Sequence, residues 1–108
     1  MMIQYPMLSK EIFPGSSAVE GEPRAYLYAL SDCNHCKDGM ALLDSLRIPY
    51  RYVYVDTLPP EIRIQLKKEI AQRFYRNLYF PILEIPGKET LFGFEEKTWK
   101  QALKDLAG

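Results

Sequence analysis

A chain of 108 residues with 14 Lys plus Arg and 14 Asp plus Glu has a formal net charge of zero. The length fits one compact domain that buries roughly two-thirds of its unfolded surface, and the charge balance lacks the basic excess of a nucleic-acid or anionic-membrane binder. Eight Tyr and an aromatic content of 13% argue against disorder as the main state.

No apolar run approaches the roughly 18 residues that span a bilayer. Met1-Met2-Ile3-Gln4-Tyr5-Pro6 lacks the basic region and apolar core of a signal peptide. The expectation is a cytoplasmic protein with neither a membrane nor a nucleic-acid partner. Residues 1–23 hold Pro6, Pro14, Gly15, Ser16, Ser17, Gly21 and Pro23 without a sustained period. They read as a largely irregular N-terminal arm, with at most one turn of helix around Leu8 to Phe13, ahead of a domain over 24–108.

Arg24 to Leu30 alternates Ala25, Leu27 and Ala29 with Tyr26, Tyr28 and Leu30. Both faces are apolar, as in a strand covered by helices on each side. Ser31-Asp32 gives a helix-entry signal. A helix follows from about Asn34 to Leu46, with Cys36, Met40, Leu43 and Leu46 at spacings of three and four, and Ile48-Pro49 ends it. Arg51 to Asp56 is a second strand, in which Tyr50, Tyr52 and Tyr54 alternate with Val53 and Val55. Strand, helix and strand in this short span predict a right-handed βαβ unit with parallel strands.

Thr57 and Pro59-Pro60 open the next helix. Ile62, Leu66, Ile70 and Phe74 form its buried stripe, opposite Arg63, Lys67, Lys68, Arg73 and Arg76, a solvated basic face or a patch for an acidic partner. Tyr79 to Ile85, containing Pro81, is a third strand. Pro86-Gly87-Lys88 is a turn, and Glu89 to Phe92 completes an antiparallel hairpin. After Gly93, Glu95 to Leu106 is a last helix with Trp99, Ala102, Leu103 and Leu106 inward. Glu95 and Glu96 lie in its first turn, where the helix dipole favours acids.

The cysteines stand together in Cys33-Asn34-His35-Cys36, where the first predicted strand hands over to a helix. Unpaired amides and the helix dipole stabilise an anion at such a point, which lowers a thiol pKa below its free value of about 8.5 and supplies the nucleophile of disulfide exchange. Cys33, at the helix entrance, is the candidate nucleophile. Cys36, a turn further in, is the candidate resolving thiol. His35 adds a tunable charge beside them, or is merely an exposed polar residue. Two other readings stay open: half of a zinc site completed by a second chain, and an inert buried pair.

These residues resemble the glutaredoxin family of the thioredoxin superfamily. Leu27 to Cys36 looks like the family's active-site entry, and Ile48 to Asp56 like its second strand. Phe80-Pro81 resembles the end of its Thr-Val-Pro segment. Leu91-Phe92-Gly93-Phe94-Glu95-Glu96 is similar to its Gly-Gly-Phe-Asp-Asp stretch. The match covers about residues 24–106.

The resemblance implies an α/β thioredoxin fold, β-α-β-α-β-β-α, with a four-stranded mixed sheet flanked by helices on both faces. It implies a cis Pro81 facing the dithiol, a Phe80 main chain that pairs with a peptide or glutathione as an added strand, and a substrate amine held by Glu95 and Glu96. The implied activity is protein-disulfide reduction with no tightly bound cofactor. The substrates would be disulfide-containing proteins or small molecules. Leu30 stands where the family usually has Lys or Arg, Asn34 where it has proline, and Tyr79 where it has Thr, and both glutathione and thioredoxin reductase remain candidate electron donors. The alternatives are a dimer that binds an iron–sulfur cluster or zinc through Cys33, and a redox-inactive adaptor.

Overall fold

Alternating aliphatic and aromatic residues in Arg24 to Leu30 become the central strand of a sheet. In the computed structural model, which describes residues 13–74 and 79–106, the elements run β1 (Gly15–Ser16), β2 (Ala25–Ala29), α1 (Asn34–Ser45), β3 (Tyr50–Tyr54), a 3-10 turn (Val55–Thr57), α2 (Pro60–Phe74), β4 (Ile82–Glu84), β5 (Thr90–Phe92) and α3 (Glu96–Leu103). The strand order is β1-β3-β2-β4-β5. β2 and β3 are parallel, Ala25 opposite Tyr50 and Ala29 opposite Tyr54, as the βαβ reading requires. β4 runs antiparallel to β2, with Tyr28 opposite Ile82, and β5 antiparallel to β4.

The two faces of β2 build two cores. Ala25, Leu27 and Ala29 join Cys36 and Leu43 of α1 and Trp99 and Leu103 of α3 on one side. Tyr28 joins Val53, Val55, and Leu66 and Ile70 of α2 on the other. The aliphatic face of β2 thus meets two helices, and the tyrosine face meets a single helix. The expected stripe of α2 is present at Leu66 and Ile70, both buried, and at half-buried Ile62. The side chain of Phe74 and the turn expected around Leu8 lie outside the described residues.

The sheet has five strands where four were expected. The additional strand comes from the arm, whose described part is otherwise irregular. Gly15 and Ser16 pair antiparallel with Tyr52 and Arg51, and the contact continues as Ser17 N–H donates to Tyr50 O at 3.0 Å. Gly15 leaves room there for the Tyr52 ring, since a Cβ would fall into that half-buried ring unless it turned aside. Just ahead, Phe13 is fully buried against the rings of Tyr26 and Tyr28, at centroid distances of 5.3 and 5.1 Å. The Arg51 guanidinium donates to the Phe13 carbonyl.

Element ends follow local chemistry. α1 closes in a Schellman motif: Ile48 N–H donates to Leu43 O and Arg47 N–H to Asp44 O, both at 3.0 Å, with Arg47 at φ 58. β3 is shorter than expected because Val55 to Thr57 turn into the 3-10 helix. β4 starts only at Ile82, after Pro81, which has no N–H for the ladder.

Candidate active site

Helix α1 begins at the carboxyl end of β2, and Cys33 is its N-cap, with extended backbone at φ −154 and ψ 109. Ser31-Asp32 signals the helix start but does not cap it. The Cys33 sulfur fills that role, accepting from Cys36 N–H at 3.1 Å. Ser31 turns away to Asp56, donating N–H to Oδ1 at 2.9 Å and its hydroxyl to Oδ2.

Cys33 and Cys36 are joined as a disulfide, with Cα atoms 5.2 Å apart. Cys33 is half-buried, whereas Cys36 is 1% exposed and its sulfur accepts from Leu30 N–H at 3.5 Å. Asn34 and His35 are exposed on the first turn. The arrangement is a dithiol–disulfide pair at a helix N-terminus, with one cysteine half-buried at the edge of the core and one inside it.

Across the sheet the Phe80–Pro81 bond is cis. Continuing the register of β2 with β4 sets Pro81 level with Ala29 and Phe80 level with Leu30, immediately before the dithiol loop. Phe80 packs on the margin of the core that also carries Cys33. Gly93 N–H bridges the carbonyls of Tyr79 and Pro81, at 2.9 and 2.8 Å. Among the described residues, no hydrogen bond engages the main chain of Phe80.

Glu95 is the N-cap of α3. Its carboxylate accepts from Thr98 N–H at 2.8 Å and from the Thr98 hydroxyl, and these bonds hold it below the usual carboxylate range. Glu96 pairs with Lys100 at 2.8 Å one turn on. Both carboxylates are exposed and both have partners within their own helix. Among the described residues, no three His, Cys, Asp or Glu side chains converge as metal ligands, and no helix is long and apolar enough to cross a membrane.

The Ser31–Asp56 contact was missed at the level of sequence. Its partners are 25 residues apart, and only the parallel βαβ geometry, which brings the ends of adjacent strands side by side, hints at it.

A sheet of this order with an N-terminal dithiol on its first long helix defines a thioredoxin-fold redox protein. The glutaredoxin family model matches residues 25–88, and the chain belongs to the glutaredoxin family. Among solved structures, it is similar to a methanoredoxin from Methanosarcina acetivorans, with a TM-score of 0.68 and 29% identity over 85% of this chain and 97% of the other. It is also similar to a glutaredoxin from Methanosarcina mazei Go1, with a TM-score of 0.66 and 27% identity over 82% and 85% of the two chains. A glutaredoxin from Archaeoglobus fulgidus, 21% identical over 78% and 89% with a TM-score of 0.67, shares the fold. No curated protein sequence matches the chain. Family, fold and the paired cysteines together support thiol–disulfide redox chemistry.

Proposed function

We propose that the chain is a dithiol oxidoreductase that reduces disulfides of proteins or small molecules, with Cys33 as nucleophile and Cys36 as resolving thiol. The observation that carries this reading is the asymmetry of the pair. Cys33 is half-buried at the helix start and its sulfur accepts an amide hydrogen bond, while Cys36 is 1% exposed. An amide and a helix dipole aimed at one sulfur favour its thiolate.

The reduced Cys33 thiolate attacks one sulfur of the substrate disulfide. The substrate S–S bond breaks, a mixed disulfide forms, and the departing substrate thiolate takes a proton from solvent. Cys36, as thiolate, then attacks the Cys33 sulfur and releases the second substrate thiol. Two electrons have passed to substrate, and the Cys33–Cys36 disulfide remains. An external dithiol or thiol restores the reduced pair. Glutathione and thioredoxin reductase are the candidate donors, and no tightly bound cofactor is needed.

The unengaged main chain of Phe80, next to cis Pro81, supports a role in pairing with an extended substrate. His35, when protonated, adds positive charge beside the thiolate and raises the oxidising power of the pair. Glu95 and Glu96 act on a substrate amine only by sharing carboxylates that already serve α3. Thiol chemistry of this kind suits a reducing cytoplasm.

The test is a pair of variants. Cys33→Ser is expected to abolish reductase turnover, and Cys36→Ser to accumulate a covalent substrate adduct on Cys33. Equal residual turnover in both, with no adduct, overturns the assignment. Turnover measured side by side with glutathione plus its reductase and with thioredoxin reductase identifies the donor.

A further inference from the structure

Parallel neighbouring strands end side by side, so the loop that leaves β2 meets the turn that leaves β3. Ser31 lies in that loop, two residues before Cys33 in sequence. Both of its donors go to one carboxylate, that of Asp56. The preceding amide, Leu30 N–H, points onto the Cys36 sulfur at 3.5 Å. The chain bends at Ser31, and its two consecutive amides serve different partners, so the contact that fixes the Ser31 amide on Asp56 also helps to fix the Leu30 amide on the dithiol.

Asp56 is itself anchored. The Arg63 guanidinium, on α2, donates to the carbonyls of Asp56 and Leu58, each at 3.4 Å. Hydrogen bonds from the Ser31 hydroxyl and amide, together with the nearby Arg63 charge, hold Asp56 below the ordinary carboxylate range, so it is anionic at neutral pH. Neither Ser31 nor Asp56 belongs to the two-cysteine motif.

The geometry points to Asp56 as a positioning residue for Cys33, acting through Ser31 to hold loop 30–32 so that the Cys33 sulfur meets the Cys36 amide. The inference rests on the reading of Cys33 as the nucleophile. Its sign separates it from simple electrostatics. A nearby negative charge disfavours a thiolate, so removing the charge alone lowers the Cys33 pKa, although only slightly for an exposed carboxylate in high dielectric. Removing a positioning contact weakens the cap and raises that pKa.

The experiment is the pH dependence of Cys33 alkylation by iodoacetamide in the reduced full chain, with circular dichroism as the check on folding. Asp56→Ala is expected to raise the apparent Cys33 pKa by about half to one unit, which is roughly a three- to tenfold smaller thiolate-to-thiol ratio at a given pH. Asp56→Asn keeps an acceptor for Ser31 and is expected to stay near the parent. Ser31→Ala leaves the charge and the amide bond to Asp56 in place and removes only the hydroxyl bond, so it is expected to raise the pKa by less than Asp56→Ala does, with the double variant rising no further than Asp56→Ala. A lowered parent pKa that Asp56→Ala leaves unmoved or lowers further overturns this inference alone. A parent Cys33 that titrates like a free thiol, at about 8.5, overturns the nucleophile reading and this inference with it.

Discussion

Gly39 of α1 lies directly under the indole of Trp99 of α3: a Cβ built on Gly39 would stand 2.9 Å from two atoms of the ring. The ring cannot yield easily. It is fully buried, its Nε1–H donates to Gly93 O at 2.9 Å, and Phe94 packs edge-on against it at 5.0 Å. The helix that presents the dithiol is therefore seated on α3 through a glycine in its own interior.

Gly39→Ala sets two effects against each other. Alanine gains about 1 kcal/mol of helix propensity. Overpacking a rigid core contact costs about 1–3 kcal/mol, and the immobile indole puts the cost toward the upper end. A net loss of ~1–2 kcal/mol is expected in urea denaturation at an unchanged m-value. A stabilised variant would show that the indole moves freely.

Arg47 carries the opposite expectation. It occupies the left-handed position of the α1 Schellman motif at φ 58, where a side chain costs about 1–2 kcal/mol. Arg47→Gly removes that cost but gives back part of it as unfolded-state entropy. The expected result is a gain of roughly 0.5–1 kcal/mol by thermal or chemical denaturation, with turnover unchanged because the site lies at the other end of α1.

Phe13 belongs to the arm in sequence and to the α2-side core in space. Phe13→Ala empties a fully buried site between Tyr26 and Tyr28, and a loss of about 3–5 kcal/mol is expected. A loss below about 0.5 kcal/mol, within the range of surface substitutions, would mean that the arm is not integral to the fold.

Acid and alkali act on different groups. Hydrogen bonds hold Asp56 below its ordinary value of 3.8, so its folded pKa lies under the unfolded one. The stability it contributes is present above that unfolded value and is lost as pH falls through the folded value. Tyr50 is the reverse: burial, then the Asp44 charge, raises its phenol well above 10.0. Its contribution is present below the unfolded value and is lost as pH rises beyond it. Asp56→Asn is expected to flatten the acid limb of the stability curve below about pH 4, and Tyr50→Phe the alkaline limb above about pH 10. Chemical denaturation across pH measures both.

Much of the fold was legible because its signals are local. The alternation in Tyr26 to Ala29 marks the central strand, and the three-and-four spacing of Cys36, Met40 and Leu43 marks the face of α1. Cys33 at the strand-to-helix handover could be read from element order alone. The strand at Gly15–Ser16 could not, because two residues carry no period and their partner lies on β3. The Ser31–Asp56 contact was hidden for a related reason: Ser31 reads as a helix cap, and only the cap geometry of Cys33 releases it for another partner. The end of α1 had no glycine to mark it, since Arg47 takes the position that glycine usually holds.

The short pairing of Gly15 and Ser16 with β3 also bears on solubility. Without it, Tyr50-Arg51-Tyr52-Val53-Tyr54 would present open amides and carbonyls along a strand rich in aromatic and branched residues, a template for sticking to other chains. Trimming the arm would therefore do more than weaken one molecule: it would bare an adhesive border and invite aggregation.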